Sequence, residues 1–230
     1  MPSLGAFPDV PALREMMNSM ITQMAAASPP PDYTGVKKSD LQIPVRDGST
    51  IRGVLYAPES GIPGPLVVVY HGGGFCIGIP EMEEPLCLEV VRRCGATALS
   101  VDYRMAPEKT FPTATEDSFD ALKWAAANAA KLGADPSKGF VIGGTSAGAI
   151  ISLVLSLQAR DEKLSPPLTG VWLNVPHVVG KTVIPDKYQK DMTSFEQNKE
   201  APILDRGAID FFMSKSTYLL LDCILECAVL

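Results

Sequence analysis

Ser146 lies in Gly144-Thr145-Ser146-Ala147-Gly148, with one glycine two residues before it and another two residues after it, behind the strand-like run 140–143. A strand that enters a helix through so tight a turn needs residues without Cβ around the apex, and the turn lifts the apical side chain above the sheet. The helix N-terminus there carries partial positive charge. It favours an anion developing beside the Ser146 hydroxyl, the setting for nucleophilic attack on an acyl carbon. A glycine-rich strand-to-helix turn capped by Ser or Thr has the same letters and stays open as an alternative. A phosphate-binding loop is disfavoured, because no Gly-Lys-Ser or Gly-Lys-Thr follows. Earlier, His71-Gly72-Gly73-Gly74-Phe75 follows a second apolar run, 65–70. Consecutive glycines leave backbone N–H groups unobstructed by side chains, as an oxyanion hole requires. His71 reads as a brace of this loop rather than as a base.

Positioning these motifs requires strands that end at them. Short β-branched or apolar runs at 65–70, 95–101, 140–143 and 170–175 predict buried strands, and helical stretches are predicted over 81–94, 116–131 and 147–160. Strands alternating with helices imply parallel βαβ units and an α/β fold, with ligands at the C-terminal ends of the strands, where both motifs sit. Upstream, 40–45 and 50–57 flank Arg46-Asp47-Gly48-Ser49 and predict a β-hairpin. Leu13, Met16, Met17, Met20, Ile21 and Met24 recur at helical spacing, and Pro29, Pro30 and Pro31 prevent that helix from continuing.

The 230 residues, 46% of them hydrophobic, suffice for one domain with a sizeable core. A net charge of −6 without Lys/Arg clusters argues against nucleic acid and anionic membranes as partners, and favours a small neutral substrate. No transmembrane span is found. Residues 1–20 lack a basic segment followed by an apolar one, so no secretory signal is expected and the cytoplasm is the expected compartment. Five cysteines are an odd number. The spacings of Cys87 with Cys94 and of Cys223 with Cys227 match no common zinc or redox pattern, and two histidines are too few for a convincing metal cluster. Free thiols and no metal site are expected.

A loop of the HGGG type paired with a G-x-S-x-G elbow is the arrangement of lipases and esterases. With the segment Asp102-Tyr103-Arg104-Met105-Ala106-Pro107-Glu108 and Phe111-Pro112 after it, the chain resembles the hormone-sensitive-lipase-like carboxylesterases of the α/β-hydrolase fold from about residue 42 to 212. The resemblance implies a cofactor-free esterase acting on short to medium acyl esters, with N-terminal helices as a cap. It implies Ser146 as nucleophile and the backbone N–H groups of Gly73, Gly74 and Ala147 as oxyanion hole, with His71, Gly72, Gly144 and Gly148 supporting them. It divides the chain into cap helices and linker (1–40), hydrolase core (41–213) and a divergent tail (214–230). Arg104 and Glu108 are expected either to pair with each other or to be solvated. Oligomeric state stays open, a homodimer included.

The chain also departs from the pattern. In this fold the acid and the histidine follow the nucleophile in that order, and the resemblance places them after two further strands. Beyond Ser146 the chain has His177 alone, where the family has pocket-lining residues, so a pocket-facing or satisfied histidine is expected there. Asp186, Asp191, Asp205 and Asp210 read as surface or capping carboxylates. The expectation is therefore a C-terminally truncated core whose strand 171–175 lies near an unprotected sheet edge. In the tail, Leu221, Ile224, Leu225 and Ala228 share a helical face fit to cover that edge, and Cys227-Ala228-Val229-Leu230 matches a prenylation box without upstream basic residues. The alternative function is a silent small-molecule-binding protein, as in the plant gibberellin receptors. Those receptors alter the glycine loop, whereas this chain keeps it.

Overall fold

The computed structural model describes residues 3–177 and 184–216. Strands β1 (Val36–Pro44) and β2 (Thr50–Pro58) form the hairpin. Its turn is closed by Gly48 N–H on Val45 O at 3.0 Å and by Asp47, whose carboxylate accepts from the Ser49 amide and hydroxyl. β3 (Leu66–Tyr70), β4 (Thr97–Val101), β5 (Phe140–Thr145) and β6 (Gly170–Asn174) complete a six-stranded sheet in the order β1-β2-β4-β3-β5-β6. The hairpin strands pair antiparallel, as do β2 and β4, and all remaining pairs are parallel.

The strand sequences explain the layering. β4 is buried throughout and β3 nearly so, because helices cover both faces, and continuous apolar runs are what such strands need. On one face Val54, Tyr56, Val69 and Ala98 pack with Cys87, Leu88 and Val91 of α2 (Glu84–Cys94). On the other Leu55, Val68, Leu99 and Ile142 meet α3 (Thr113–Asn128) and α4 (Ala147–Asp161). The predicted helix from 81 begins as a 3-10 turn, Pro80–Glu83, and becomes α-helical at Glu84. Gly95, with φ +61°, ends it by donating its N–H to Val91 O.

The N-terminal helix α1 (Val10–Ala27) is capped by Asp9, whose carboxylate accepts from Ala12 N–H, and it stops before the prolines. Val10 and Leu13 pack with Cys76, Ile77, Ala106 and Phe212. Short helices α5 (Asp186–Gln189) and α6 (Ser194–Gln197) precede α7 (Arg206–Ser216). Asp205 caps α7, accepting from Ala208 N–H at 2.8 Å and from the Ser3 hydroxyl at 2.7 Å.

Among the described residues β6 is an edge strand, and Val171 and Trp172 are 42% and 38% exposed on it. Cys76, Cys87 and Cys94 are free thiols. The expectations for Leu221, Ile224, Leu225 and Ala228, and for the 227–230 box, fall outside the described residues. So do Cys223 and Cys227.

The pairing of Arg104 with Glu108 is corrected. Arg104 points toward α3, where Nε and Nη2 donate to Asp117 at 2.8 and 2.7 Å and Nη1 reaches Asp47 at 2.7 Å. Glu108 turns the other way and pairs with Arg14 of α1. Asp117 is buried, so its carboxylate requires a cation there, while Glu108 lies near the surface.

Candidate active site

Ser146 stands between β5 and α4 with φ +54° and ψ −112°, a conformation that non-glycine residues rarely adopt and that costs on the order of 1–3 kcal/mol. The surroundings fix it. The Ser146 N–H donates to Asn174 O at 2.8 Å, and Ile150 N–H donates back to Ser146 O at 3.1 Å. The flanking glycines are required by close approach. A Cβ on Gly148 would lie 1.9 Å from Tyr70 O, and one on Gly144 would lie 2.3 Å from the same oxygen.

The glycine loop crosses over this elbow. A Cβ on Gly72 would stand 3.0 Å from Thr145 O. Gly73 (φ +122°) and Gly74 (φ +58°) hold left-handed backbone, and the N–H groups of Cys76 and Ile77 both bond to Gly73 O. The Phe212 ring of α7 packs directly on Gly74, where a Cβ would meet it at 2.6 Å.

Ser146, Ala147, Gly73 and Gly74 share one cavity of about 510 Å³. Ile150, Phe212, Met213, Val175 and Leu4 give it a largely apolar wall. His177 lines the same cavity, its ring 5.4 Å from that of Phe195. A nucleophilic hydroxyl, a helix N-terminus and glycine N–H groups on an apolar cavity can together bind a carbonyl group and stabilise the oxyanion formed on attack.

The remaining motif residues lie behind that surface. Gly144 and Gly148 pack beneath the elbow, and Gly72 lies between it and His71. The His71 ring is buried, stacks on Tyr103 at 4.3 Å and 12°, and donates from Nδ1 to Gly72 O at 2.7 Å. Tyr103 Oη donates to His71 O at 2.8 Å. Burial pushes the His71 pKa down to about 4, so the ring is neutral at physiological pH. Its Nε2 has no hydrogen-bond partner among the described residues. Asp186, Asp191, Asp205 and Asp210 do not line the cavity.

Two nearby residues escaped the sequence reading. Glu83 is buried and its carboxylate accepts a hydrogen bond from the Thr145 side chain, the residue before Ser146; burial raises its pKa despite that bond. Arg14 reaches the loop from α1, donating Nε to Cys76 O at 2.8 Å. Nothing local in sequence marks either contact. Among the described residues no three His, Cys, Asp or Glu side chains converge as a metal site. No helix among them is long and apolar enough to cross a membrane.

Comparisons with known proteins agree with this geometry. A family model described as the α/β-hydrolase fold matches residues 67–221. An AB hydrolase superfamily protein of Schizosaccharomyces pombe is 38% identical over 187 residues, covering 80% of this chain and 54% of the relative. A carboxylesterase of Mycobacterium tuberculosis is 41% identical over 150 residues, covering 65% of this chain and 44% of the relative. The structure resembles a bacterial heroin esterase with a TM-score of 0.79 at 32% identity, covering 92% of this chain and 63% of that one. It resembles vibralactone cyclase with a TM-score of 0.82 at 31% identity, covering 93% and 64%. The chain thus spans about half the length of the curated relatives it matches.

Proposed function

The chain belongs to the α/β-hydrolase family, in its hormone-sensitive-lipase-like carboxylesterase group, and on that premise we propose that it is a serine hydrolase of small and medium acyl esters. The observation that carries the proposal is the convergence of Ser146 with Gly73, Gly74 and Ala147 on one apolar cavity. Ser146 Oγ attacks the ester carbonyl carbon as its proton passes to water, the carbonyl oxygen takes up the charge, and the proton is returned to the leaving alkoxide. The N–H groups of Gly73, Gly74 and Ala147 stabilise that oxygen, and each such donor is worth about 10²–10³ in kcat. Collapse of the tetrahedral intermediate expels the alcohol and leaves an acyl-Ser146, which water cleaves to release the acid.

Of the two histidines, His177 lines the cavity, whereas His71 is held by its stack and its bond to Gly72 O. Left-handed glycines preserved at both oxyanion positions support hydrolysis over the silent-binder alternative. The same reading takes a small ester as the partner and the cytoplasm as the compartment, the latter resting on the free thiols Cys76, Cys87 and Cys94. A homodimer is included in it, and sedimentation velocity tests that assembly.

The experiment is hydrolysis of p-nitrophenyl acetate and butyrate, together with labelling by a fluorophosphonate and mass mapping of the adduct. The expected result is an adduct on Ser146 and turnover that Ser146→Ala abolishes. Absence of the adduct, with equal rates for the two proteins, would sink the proposal.

A further inference from the structure

The loop 73–79 has to hold two N–H donors still, yet it runs between two cavities. Gly73, Gly74, Phe75 and Ile77 line the one that contains Ser146. Ile77, Gly78 and Ile79 line a second, also of about 510 Å³, walled by α1 and by residues 102–105. Packing holds part of the segment, with Cys76 fully buried and Phe75 and Ile77 nearly so, while a cavity borders it on either side. Hydrogen bonds add to that packing in fixing where it lies.

Those bonds converge on one side chain. Behind the donors, Cys76 and Ile77 close a turn onto Gly73 O at 3.1 and 3.0 Å, and Ala106 N–H donates to Phe75 O at 2.9 Å. Arg14 of α1 spans both ties, donating Nε to Cys76 O and Nη2 to Ala106 O, each at 2.8 Å. Its guanidinium is held in turn by both carboxylate oxygens of Glu108, at 2.7 and 3.0 Å. A planar fork of N–H donors can satisfy two carbonyls and a carboxylate together, which the point charge of a lysine cannot.

We propose that Arg14 is a positioning residue for the oxyanion hole: it clamps the turn behind Gly73 and Gly74 and so couples the N-terminal helix to stabilisation of the tetrahedral intermediate. The catalytic half of this statement rests on the esterase reading, while the clamp itself does not. The mechanical consequence is that a shift of α1 away from the loop would move Cys76 O and, through the turn on Gly73 O, the donors themselves.

The test compares Arg14→Met and Arg14→Lys with the wild type and with Ser146→Ala, using two measurements. In hydrogen exchange, the amides of Cys76 and Ile77 are expected to exchange about tenfold faster or more in Arg14→Met, with β3 and β5 unchanged. Unchanged exchange at those two amides would overturn the clamp whatever the enzyme does. In ligand binding, butylboronic acid forms a tetrahedral adduct with Ser146 whose oxygen enters the hole, whereas N-butylbutanamide occupies the cavity as a trigonal ground-state analogue. Arg14→Met is expected to weaken the boronate by about 10- to 100-fold and the amide by less than about threefold, the split that separates transition-state from ground-state binding. Arg14→Lys keeps the charge and the packed stem, so it is expected to fold as the wild type does and to show the same selective loss. Equal weakening of both ligands would mean general damage to the cavity and would refute the positioning role. A wild-type chain that forms no Ser146-dependent boronate adduct would instead refute the nucleophile, and the exchange measurement would still decide the clamp.

Discussion

The elbow and the glycine loop face the same cavity but are held by different means. The elbow is wedged: β5 and α4 are buried on either side of it, and the backbones of Tyr70, Gly144 and Gly148 approach until no methyl group fits between them. The loop is tied, by a turn on Gly73 O, by Ala106 and by Arg14, and a cavity borders it on either side of its buried residues Phe75, Cys76 and Ile77. Wedging makes the nucleophile's position a property of the core, so it fails only when the fold fails. Tying makes the oxyanion donors adjustable, so they can be lost while the fold survives.

Two glycine substitutions break this comparison most directly. Gly148→Val places a side chain against Tyr70 O and His71 O, which are backbone atoms of the buried sheet and its loop and cannot yield. The expected outcome is a loss above about 4 kcal/mol, read as a collapsed urea midpoint or as insoluble protein. Gly73→Ala, with φ +122° and a Cβ 1.9 Å from Ile77 O, must move the loop instead. Its expected signature is a fall of about 10²–10³ in kcat with a urea midpoint near that of the wild type. Equal unfolding of the two variants would show that the loop is as much part of the core as the elbow.

The sequence makes the wedged region readable and the tied one only in part. β3, β4 and β5 are legible because strands covered on both faces must be continuously apolar, and the elbow is legible because close backbone approach admits glycine alone. The ties are long-range. Arg14 bonds to Cys76 and Ala106, far along the chain, and no periodicity in α1 reports this. Arg104 illustrates the converse: Glu108 is near in sequence, but the buried Asp117 takes the guanidinium. Glu83, at the start of the helical stretch predicted from 81, is turned inward by the 3-10 turn Pro80–Glu83. β1 begins at Val36, earlier than its apolar alternation at 40–45 suggests, because Lys37, Lys38 and Ser39 lie on an exposed edge strand that selects for nothing apolar.

Titration separates the two regions by sign, first on the loop side. His71 has its folded pKa pushed down to about 4 by burial, so between the ordinary value near 6.5 and 4 the unfolded chain binds a proton that the folded chain refuses. Stability is therefore full above 6.5 and falls as the pH drops toward 4, by roughly 3 kcal/mol in all. His71→Phe keeps an aromatic ring on Tyr103 and should flatten that slope, checked by urea midpoints across pH 4–7. An unchanged slope would show that the ring is not held neutral.

The elbow side gives a smaller effect of opposite direction. Glu83 has its folded pKa raised by burial, against the bond from Thr145, so its contribution is full below the ordinary carboxyl value and is lost as the pH rises through the folded one. Glu83→Gln keeps the shape and an acceptor for the Thr145 hydroxyl while removing the charge. Its stability relative to the wild type should therefore grow from pH 4 to pH 8, by less than the His71 effect. Because Glu83 supports a wedged segment, kcat should change little over the same range. If Glu83→Gln instead lowers kcat at constant stability, the carboxylate is aligning Ser146 through Thr145, and the elbow too depends on a tie.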